Sequence, residues 1–210
     1  IRRMWKAPIK HATLALSLLQ LGCAVTQVTT HSLPTAGLTP PANAHGENVL
    51  VLWGTAWRTN QKEVSLRTEV AARAISDYFS RSSRFRSADV VSQAFGRPGI
   101  QLSDSEALRY AASTGRWYDK IIFLRVEELG PQLVIYPSPV LWSGGTEVVF
   151  RVRMLDSRSA AMELDSTVRW KDGGAFVLKD TRSLEQDLQA ALRAVFEPPS
   201  ESGPPTALAK

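Results

Sequence analysis

The amino-acid sequence predicts an α/β fold: a single small α/β sandwich in which about three helices cover one or both faces of a mixed sheet. Two kinds of pattern lead to this prediction. Short β-branched and apolar runs alternate with helical patterns in the first part of the domain, and a pair of strands with alternating polarity comes near its end. The predicted order of elements is β-α-β-α-β-β-β-β-α.

The first part of the domain reads as strand, helix, strand. Residues 48–53 form a continuous apolar run that is typical of a buried strand. Asn60 and Glu63 have the spacing of a capping box and predict the start of a helix. One face of that helix is apolar, and the pattern places Arg67 away from it. A second strand is predicted at 85–91.

A second helix and two further strands follow. Ser103 and Glu106 form a clearer capping box, and Gly115 is the residue at which the helix is predicted to end. The apolar runs at 120–126 and 133–136 are predicted to be two separate strands.

The last part of the domain reads as a hairpin and a helix. Residues 146–156 alternate between apolar and polar, which predicts a half-exposed antiparallel strand, and 162–170 are its hairpin partner. The final helix is predicted to begin near Ser183. The glycine pairs at 144–145 and 173–174 are interpreted as turns beside strands, because neither has the spacing of a phosphate-binding loop.

The first 22 residues have the pattern of an export signal. Four basic residues and no acidic residue precede a short apolar run at 12–19, which is too short for a good membrane-spanning helix. The run ends at Gly22 and Cys23, which resemble the processing site of bacterial lipoproteins, although Gln20 departs from the usual apolar residue. We therefore expect cleavage after Gly22.

Cys23 is accordingly the predicted lipid attachment site. It would carry a thioether-linked diacylglycerol and an N-acyl chain such as palmitate, which together anchor a protein stably. The absence of aspartate after the cysteine favours the outer membrane, with the domain on its periplasmic side. The alternative is an ordinary secretory signal with an incidental cysteine.

The remaining chain divides into three parts. Residues 23–47 are predicted to be a flexible tether after the lipidated cysteine, 48–197 the α/β domain, and 198–210 a disordered tail. Without residues 1–22 the chain carries 21 basic and 20 acidic residues, so the formal net charge of +5 belongs mainly to the leader. This distribution argues against a nucleic-acid partner.

The domain lacks the residue types that most catalytic sites use. The three histidines lie at positions 11, 31 and 45, and the single cysteine is at 23, so residues 48–197 contain neither type. Nucleophilic triads and most zinc sites need at least one of them. We therefore expect no catalytic residue, no metal, no cofactor beyond the lipid, and no enzymatic activity.

Trp142 and the neighbouring Leu141 are the predicted interface residues. They lie in an apolar segment that a monomeric protein in water has little reason to expose. Tryptophan is favoured where one side of the ring meets an apolar layer and the other meets water. We expect these two residues at a membrane or subunit interface, although packing within the domain is the alternative.

The chain resembles the lipoprotein superfamily that contains CsgG, PelC and LpoB. The resemblance rests on the leader with Cys23, the opening strand before a long helix, and the hairpin 148–170 before a final helix. The hairpin turn in these families often reads Asp, then Thr-Gly; here Asp156 is present, but Ser159 and Ala160 replace the Thr-Gly pair.

Two functions are implied by this resemblance. One is a structural or accessory component of an envelope export or assembly system, whose partners would be other proteins or further copies of the chain. The other is a monomeric periplasmic lipoprotein that binds and regulates an envelope enzyme. The sequence leaves both open.

Overall fold

The computed structural model describes residues 25–32, 46–59, 61–92, 102–135, 142–175 and 177–197. The strands in these residues are β1 (Val25–Ser32), β2 (Glu47–Thr55), β3 (Phe85–Ser92), β4 (Lys120–Ile135), β5 (Trp142–Asp156) and β6 (Met162–Ala175). The helices are α1 (Val64–Arg81), α2 (Asp104–Ser113) and α3 (Leu184–Phe196).

All six strands belong to one mixed sheet with the order β1-β6-β5-β4-β2-β3. β2 pairs in parallel with both β3 and β4, whereas β4, β5, β6 and β1 pair antiparallel. Parallel neighbours need crossover connections, which α1 and α2 supply. The mixed sheet with three helices confirms the predicted α/β class.

Helices lie on both faces of the sheet, and β2 shows why its sequence is continuously apolar. Residues 49–54 are all buried. Val49 and Val51 belong to the core under α1 and α3, whereas Leu50 and Leu52 belong to a second core that includes residues of α2. A strand covered on both faces does not need polar residues at alternate positions.

An aromatic cluster joins α1, β3 and α3. Phe79 and Phe85 have ring centroids 5.4 Å apart, and Phe196 lies 5.6 Å from the first and 5.8 Å from the second. Tyr78 stacks on Phe196 at 6.1 Å. Such pairs contribute about 1 kcal/mol each beyond the burial of their area, so they fix where the two helices meet the sheet.

The predicted capping box of α2 is confirmed. Ser103 accepts a hydrogen bond from the Glu106 backbone N–H at 3.3 Å, and the Glu106 carboxylate accepts one from the Ser103 backbone N–H at 2.8 Å. Gly115 follows the end of the helix with a φ of 70°, a conformation in which glycine is unstrained.

The start of α1 differs from the prediction. Its N-cap is Glu63, whose φ is 53° and whose side chain caps nothing, and Asn60 lies outside the described residues. The placement of Arg67 on the exposed side is wrong, because this residue is 7% exposed. Arg67 donates a hydrogen bond to the carbonyl of Leu129, in a space that exists because Gly130 has no side chain.

β4 is one long strand, so the prediction of two strands at 120–126 and 133–136 is wrong. A register shift between Val126 and Glu128 marks a bulge, after which pairing with β5 continues. β2 ends opposite Val126, so among the described residues β4 beyond this point has a neighbouring strand on one side only. Pro131 is tolerated there because its missing N–H can face the unpaired side.

Residues 25–32 differ from the predicted tether. They form β1, an edge strand that pairs with β6 from Val25 opposite Gly173 to Ser32 opposite Ser166. Thr and Val have high strand propensity, and β6 would otherwise present an open edge to them. The predicted leader 1–22, the rest of the tether at 33–45, and the tail 198–210 lie outside the described residues.

The two glycine pairs lie within strands and face each other, so their interpretation as turns is wrong. Gly144 pairs with Gly174, and Gly145 pairs with Gly173, across β5 and β6. The sequence shows two separated glycine pairs, and only the strand register reveals that they are neighbours.

Candidate functional site

Four strand termini define one end of the sheet, which we call the leader end: Val25, Ile135, Trp142 and Ala175. Val25 lies two residues after Cys23, and two residues of chain span at most about 7 Å. Cys23 and Gly22 themselves lie outside the described residues. The short connection nevertheless keeps the predicted lipid site within reach of the leader end.

Trp142 is the first residue of β5 and is half-buried, opposite Ile135 in β4. It therefore belongs to a strand rather than to a loop, and Leu141 lies outside the described residues. Side chains alternate along a strand, so Trp142 is on the same face as Val148. That is the face which α1 and α3 cover further along the sheet.

Two leucines expose apolar surface at the leader end. Leu133 in β4 is 57% exposed, and Leu178, three residues after the end of β6, is 79% exposed. Leu133 pairs with Gly144, two residues from Trp142 in β5. No sequence pattern marks either leucine as exposed: the run around Leu133 predicts only a strand, and Leu178 lies in no predicted element.

The facing glycines allow β5 and β6 to approach closely at this end. A side chain on Gly145 would overlap the backbone of Asp172 and Gly173, and one on Gly173 would overlap the backbone of Gly144. Glycine is therefore required by backbone proximity at Gly145 and Gly173.

A partly buried ionic contact holds the segment that carries Leu178. Lys179 donates hydrogen bonds to Asp172 in β6 and to Asp187 in α3, and its ammonium lies 5.8 Å from the centre of the Trp170 ring. Burial opposes the charged form of Lys179, but the two carboxylates outweigh this effect and raise its pKa. The contact joins the end of β6 to α3 while Leu178 stays outside.

Charged side chains pair across β5 and β6 on the face of the sheet opposite to the one that α1 and α3 cover. The Glu147 side chain is 3% exposed and lies 2.8 Å from Arg169 and 3.6 Å from Lys171. Arg151 makes a two-point contact with Asp165 at 2.9 and 2.8 Å. Each of these cations thus has a carboxylate within 4 Å, and Arg169 and Lys171 share Glu147.

The other end of the sheet, which we call the turn end, consists of the start of β4 and the β5–β6 turn at residues 157–161. Its centre is Lys120, whose side chain is 11% exposed. The ammonium lies 2.8 Å from Asp156, 2.5 Å from Glu163 and 3.9 Å from Glu47. One nearly buried cation thus joins the starts of β2, β4 and β6 to the end of β5.

Asp156 connects this cluster to the hairpin turn. Lys120 binds the Oδ2 atom of Asp156. The Oδ1 atom accepts hydrogen bonds from the Ser159 backbone N–H at 2.8 Å and from the Ser159 hydroxyl at 2.9 Å. The hydrogen bond from Lys120, followed by those from Ser159, lowers the Asp156 pKa well below its usual range. Ala160 has a φ of 57°, so alanine occupies a left-handed position that glycine adopts without strain.

A small cleft lies beside the turn end, with a volume of about 130 Å³. It is formed by the end of α2, the chain leading into β4 and the β5–β6 turn. Its lining residues are Leu108, Ala111, Ala112, Arg116, Trp117, Tyr118 and Ser157. No local sequence pattern singles out Trp117, because the cleft forms only where α2 and the hairpin turn come together.

The described residues offer no group of three or more His, Cys, Asp or Glu side chains that is placed to hold a metal. No helix within the described ranges is long and apolar enough to cross a membrane.

No protein-family model and no curated protein sequence matches the chain. Among solved structures, it is similar to the PelC dodecamer from Paraburkholderia phytofirmans, with 16% identity, coverage of 81% of this chain and 97% of that chain, and a TM-score of 0.44. It is also similar to lipoprotein GNA1162 from Neisseria meningitidis, with 15% identity, coverage of 71% of this chain and 98% of that chain, and a TM-score of 0.38. At these identities and TM-scores, the similarities do not establish a shared function.

Proposed function

We propose that this chain is an exported lipoprotein, cleaved after Gly22 and lipidated on Cys23, whose leader end lies against the periplasmic side of the outer membrane. One observation carries the proposal: β1 begins two residues after Cys23, at the same end of the sheet as Trp142 and the exposed leucines. The residue predicted to carry lipid and the most exposed leucine side chains thus share one end.

The physical basis is the burial of apolar surface at the headgroup layer. Three acyl chains on Cys23 hold the domain at the membrane. Leu133 and Leu178, which are exposed in water, would then contact the acyl boundary, and the Trp142 ring suits the headgroup level. The same residues would meet a neighbouring subunit if the domain forms a ring.

We further propose that the domain is not an enzyme and acts as an accessory or structural component of an envelope export or assembly system. The support is the absence of histidine and cysteine from residues 48–197, together with the resemblance stated from the sequence. Protein partners or further copies of the chain follow from the same resemblance.

The alternative is a monomeric lipoprotein that binds and regulates an envelope enzyme. The observation that favours it is the cleft at the turn end, where Trp117 is 62% exposed. An exposed tryptophan beside a cleft suits a protein–protein contact.

The anchor is tested by expressing the full chain in a bacterium that receives labelled palmitate. We expect label in the protein and its recovery in the outer-membrane fraction. Cys23→Ser should lose the label, while Ser32→Ala, a matched change of a small polar residue further along, should keep it. An unlabelled wild-type chain that is released into the periplasm would contradict the proposal.

Oligomeric state separates the two functions. The detergent-solubilised full chain is measured by light scattering after gel filtration, with Trp142→Ala in parallel. A ring-sized oligomer that the variant loses would favour the accessory role and place Trp142 between subunits. A monomer for both proteins would favour the regulator.

A further inference from the structure

The cleft at the turn end has the size of one apolar side chain. Leu108, Ala111 and Ala112 supply an apolar wall from α2, and Tyr118 and Ser157 lie on the sheet side. Its volume of about 130 Å³ is close to that of apolar cavities of about 150 Å³ that accept a benzene ring. A phenylalanine or leucine side chain would therefore fill it.

Trp117 gives the cleft an exposed aromatic rim. The side chain is 62% exposed, and the guanidinium of Arg158 lies 5.2 Å from the centre of its ring. A large aromatic ring in water is costly, and tryptophan, tyrosine and arginine are the residues that dominate the energetics of protein interfaces. All three types meet at this cleft.

At the rim, two arginines are the more exposed members of ion pairs. Arg116 is paired with Asp89, but its side chain is 69% exposed against 31% for the carboxylate. Arg158 lies 3.6 Å from Asp119; the arginine side chain is 68% exposed and the aspartate side chain 28%. Arg116 uses only its Nη1 atom on Asp89, so further N–H donors remain for an incoming acceptor.

We propose that the cleft binds a short segment of a partner protein that inserts one apolar side chain and places carboxylates against Arg116 and Arg158. Aromatic contact and cavity filling provide the affinity, and the exposed N–H donors of the two arginines favour a segment that carries carboxylates. Neither the apolar contact nor the contact with the arginines depends on lipidation.

The choice of a different protein over a second copy rests on the proposed function. β5 spans the sheet over 15 residues, or about 45 Å, so the turn end lies far from a membrane that holds the leader end. A second copy on the same membrane presents its own turn end at this height. Among the exposed large apolar side chains described, only Trp117 lies there.

The test uses the full chain in detergent, labelled with 5-fluorotryptophan and followed by ¹⁹F NMR. Trp117→Phe and Trp142→Phe assign the two signals that matter. Three capped tripeptides are the probes: phenylalanine between two aspartates, alanine between two aspartates, and phenylalanine between two lysines. We expect the first to shift the Trp117 signal saturably, with a dissociation constant of order 1 mM, while the Trp142 signal stays in place.

The two control peptides should bind at least roughly tenfold more weakly, because one lacks the apolar side chain and the other has the wrong charge. Arg116→Gln combined with Arg158→Gln should weaken the first peptide by a similar factor, and Arg182→Gln, at a fully solvated arginine, should not. Equal binding of the lysine peptide, or no Trp117 shift with any probe, would overturn the proposal. A Trp117 shift that depends on protein concentration alone would assign the cleft to a second copy and overturn it as well.

These results are independent of palmitate labelling. Loss of labelling with intact peptide binding would refute the anchor and leave the cleft, and the converse result would refute the cleft alone.

Discussion

The two ends of the sheet are built from different interactions. At the turn end, Lys120 and the carboxylates around it form a nearly buried polar cluster, and Asp156 is bonded to the turn that follows it. At the leader end, β4, β5 and β6 continue past the helices, the strands approach through glycine, and leucine side chains face solvent. One end is closed by its own charges, and the other presents apolar surface.

This difference assigns different tasks to the two ends. Buried ion pairs do little for net stability, but removing one member leaves charges unpaired, so a cluster of this kind fixes geometry. Exposed apolar side chains add no stability in water and suit contact with another apolar surface. The turn end is thus closed by its own ion pairs beside the cleft, and the leader end offers the apolar surface that the proposed membrane contact requires.

The largest effect should come from filling the backbone contact at the leader end. Gly173→Val would place a side chain against the backbone of Gly144 and Gly145, so β5 and β6 would separate there. We expect a loss of about 3 kcal/mol in the free energy of unfolding, measured by urea denaturation. Thr167→Val, at an equivalent half-buried position of the same strand, should change it by less than about 0.5 kcal/mol. Equal free energies of unfolding for the two variants would show that the close approach of β5 and β6 does not need the glycines.

Next in size is removal of the cation at the turn end. Lys120→Met leaves Asp156, Glu163 and Glu47 without their shared partner, and these carboxylates are only 22–36% exposed. Since they keep some contact with water, we expect a loss of about 2 kcal/mol, less than for a fully buried pair. Combining Lys120→Met with Asp156→Asn should cost less than the sum of the single changes; additive losses would mean that the two groups do not interact.

A smaller effect should appear in the pH dependence of stability. The Asp156 pKa is depressed in the folded protein by its hydrogen bonds from Lys120 and Ser159. Its stabilisation is therefore complete above its ordinary pKa of about 3.9 and is lost as pH falls toward the folded value. Urea denaturation between pH 7 and 2 should show this loss in the wild type and a flatter profile in Asp156→Asn.

Glu47 provides a comparison of opposite sign within the same cluster. Burial raises the Glu47 pKa by more than Lys120 lowers it. The charged Glu47 carboxylate therefore reduces stability at pH values above its ordinary pKa of about 4.3, and this cost disappears as the pH falls and the group takes up a proton. Glu47→Gln should therefore steepen the acid loss that Asp156→Asn flattens. The same change of slope in both variants would refute the assignment of either group.

The smallest effect should be a gain at the β5–β6 turn. Ala160 has a φ of 57°, and a left-handed conformation costs a non-glycine residue about 1 kcal/mol, partly offset by the larger unfolded-state entropy of glycine. We expect Ala160→Gly to stabilise the protein by about 0.5 kcal/mol, seen as a higher urea midpoint. Ala161→Gly, one residue on, should lower the midpoint, and a loss from both changes would contradict the strain at Ala160.

The elements that the sequence predicts well are those with local signals. Three of them depend on residues only a few positions apart: the capping box of Ser103 and Glu106, the buried apolar run of β2, and the hairpin turn that begins at Asp156. Val25 and Gly173 are far apart in the chain, so the pairing of β1 with β6 was not predictable from a local pattern. The burial of Arg67 likewise depends on Gly130, in another element.

The candidate sites divide in the same way. The leader, Gly22 and Cys23 were predicted from adjacent residues and remain predictions. The exposure of Leu133 and Leu178 depends on where β4 and β6 end relative to the helices, and the Trp117 cleft depends on three elements that meet only in the fold.

The proposed orientation of the two ends relative to the membrane can be tested by one measurement. The lipidated full chain, labelled with 5-fluorotryptophan, is placed in nanodiscs that carry a paramagnetic headgroup, whose short-range effect broadens only nearby ¹⁹F signals. We predict that the Trp142 signal broadens and the Trp117 signal stays sharp, because β5 separates the two ends by about 45 Å. Broadening of Trp117 with a sharp Trp142 signal, or equal broadening of both, would contradict this account.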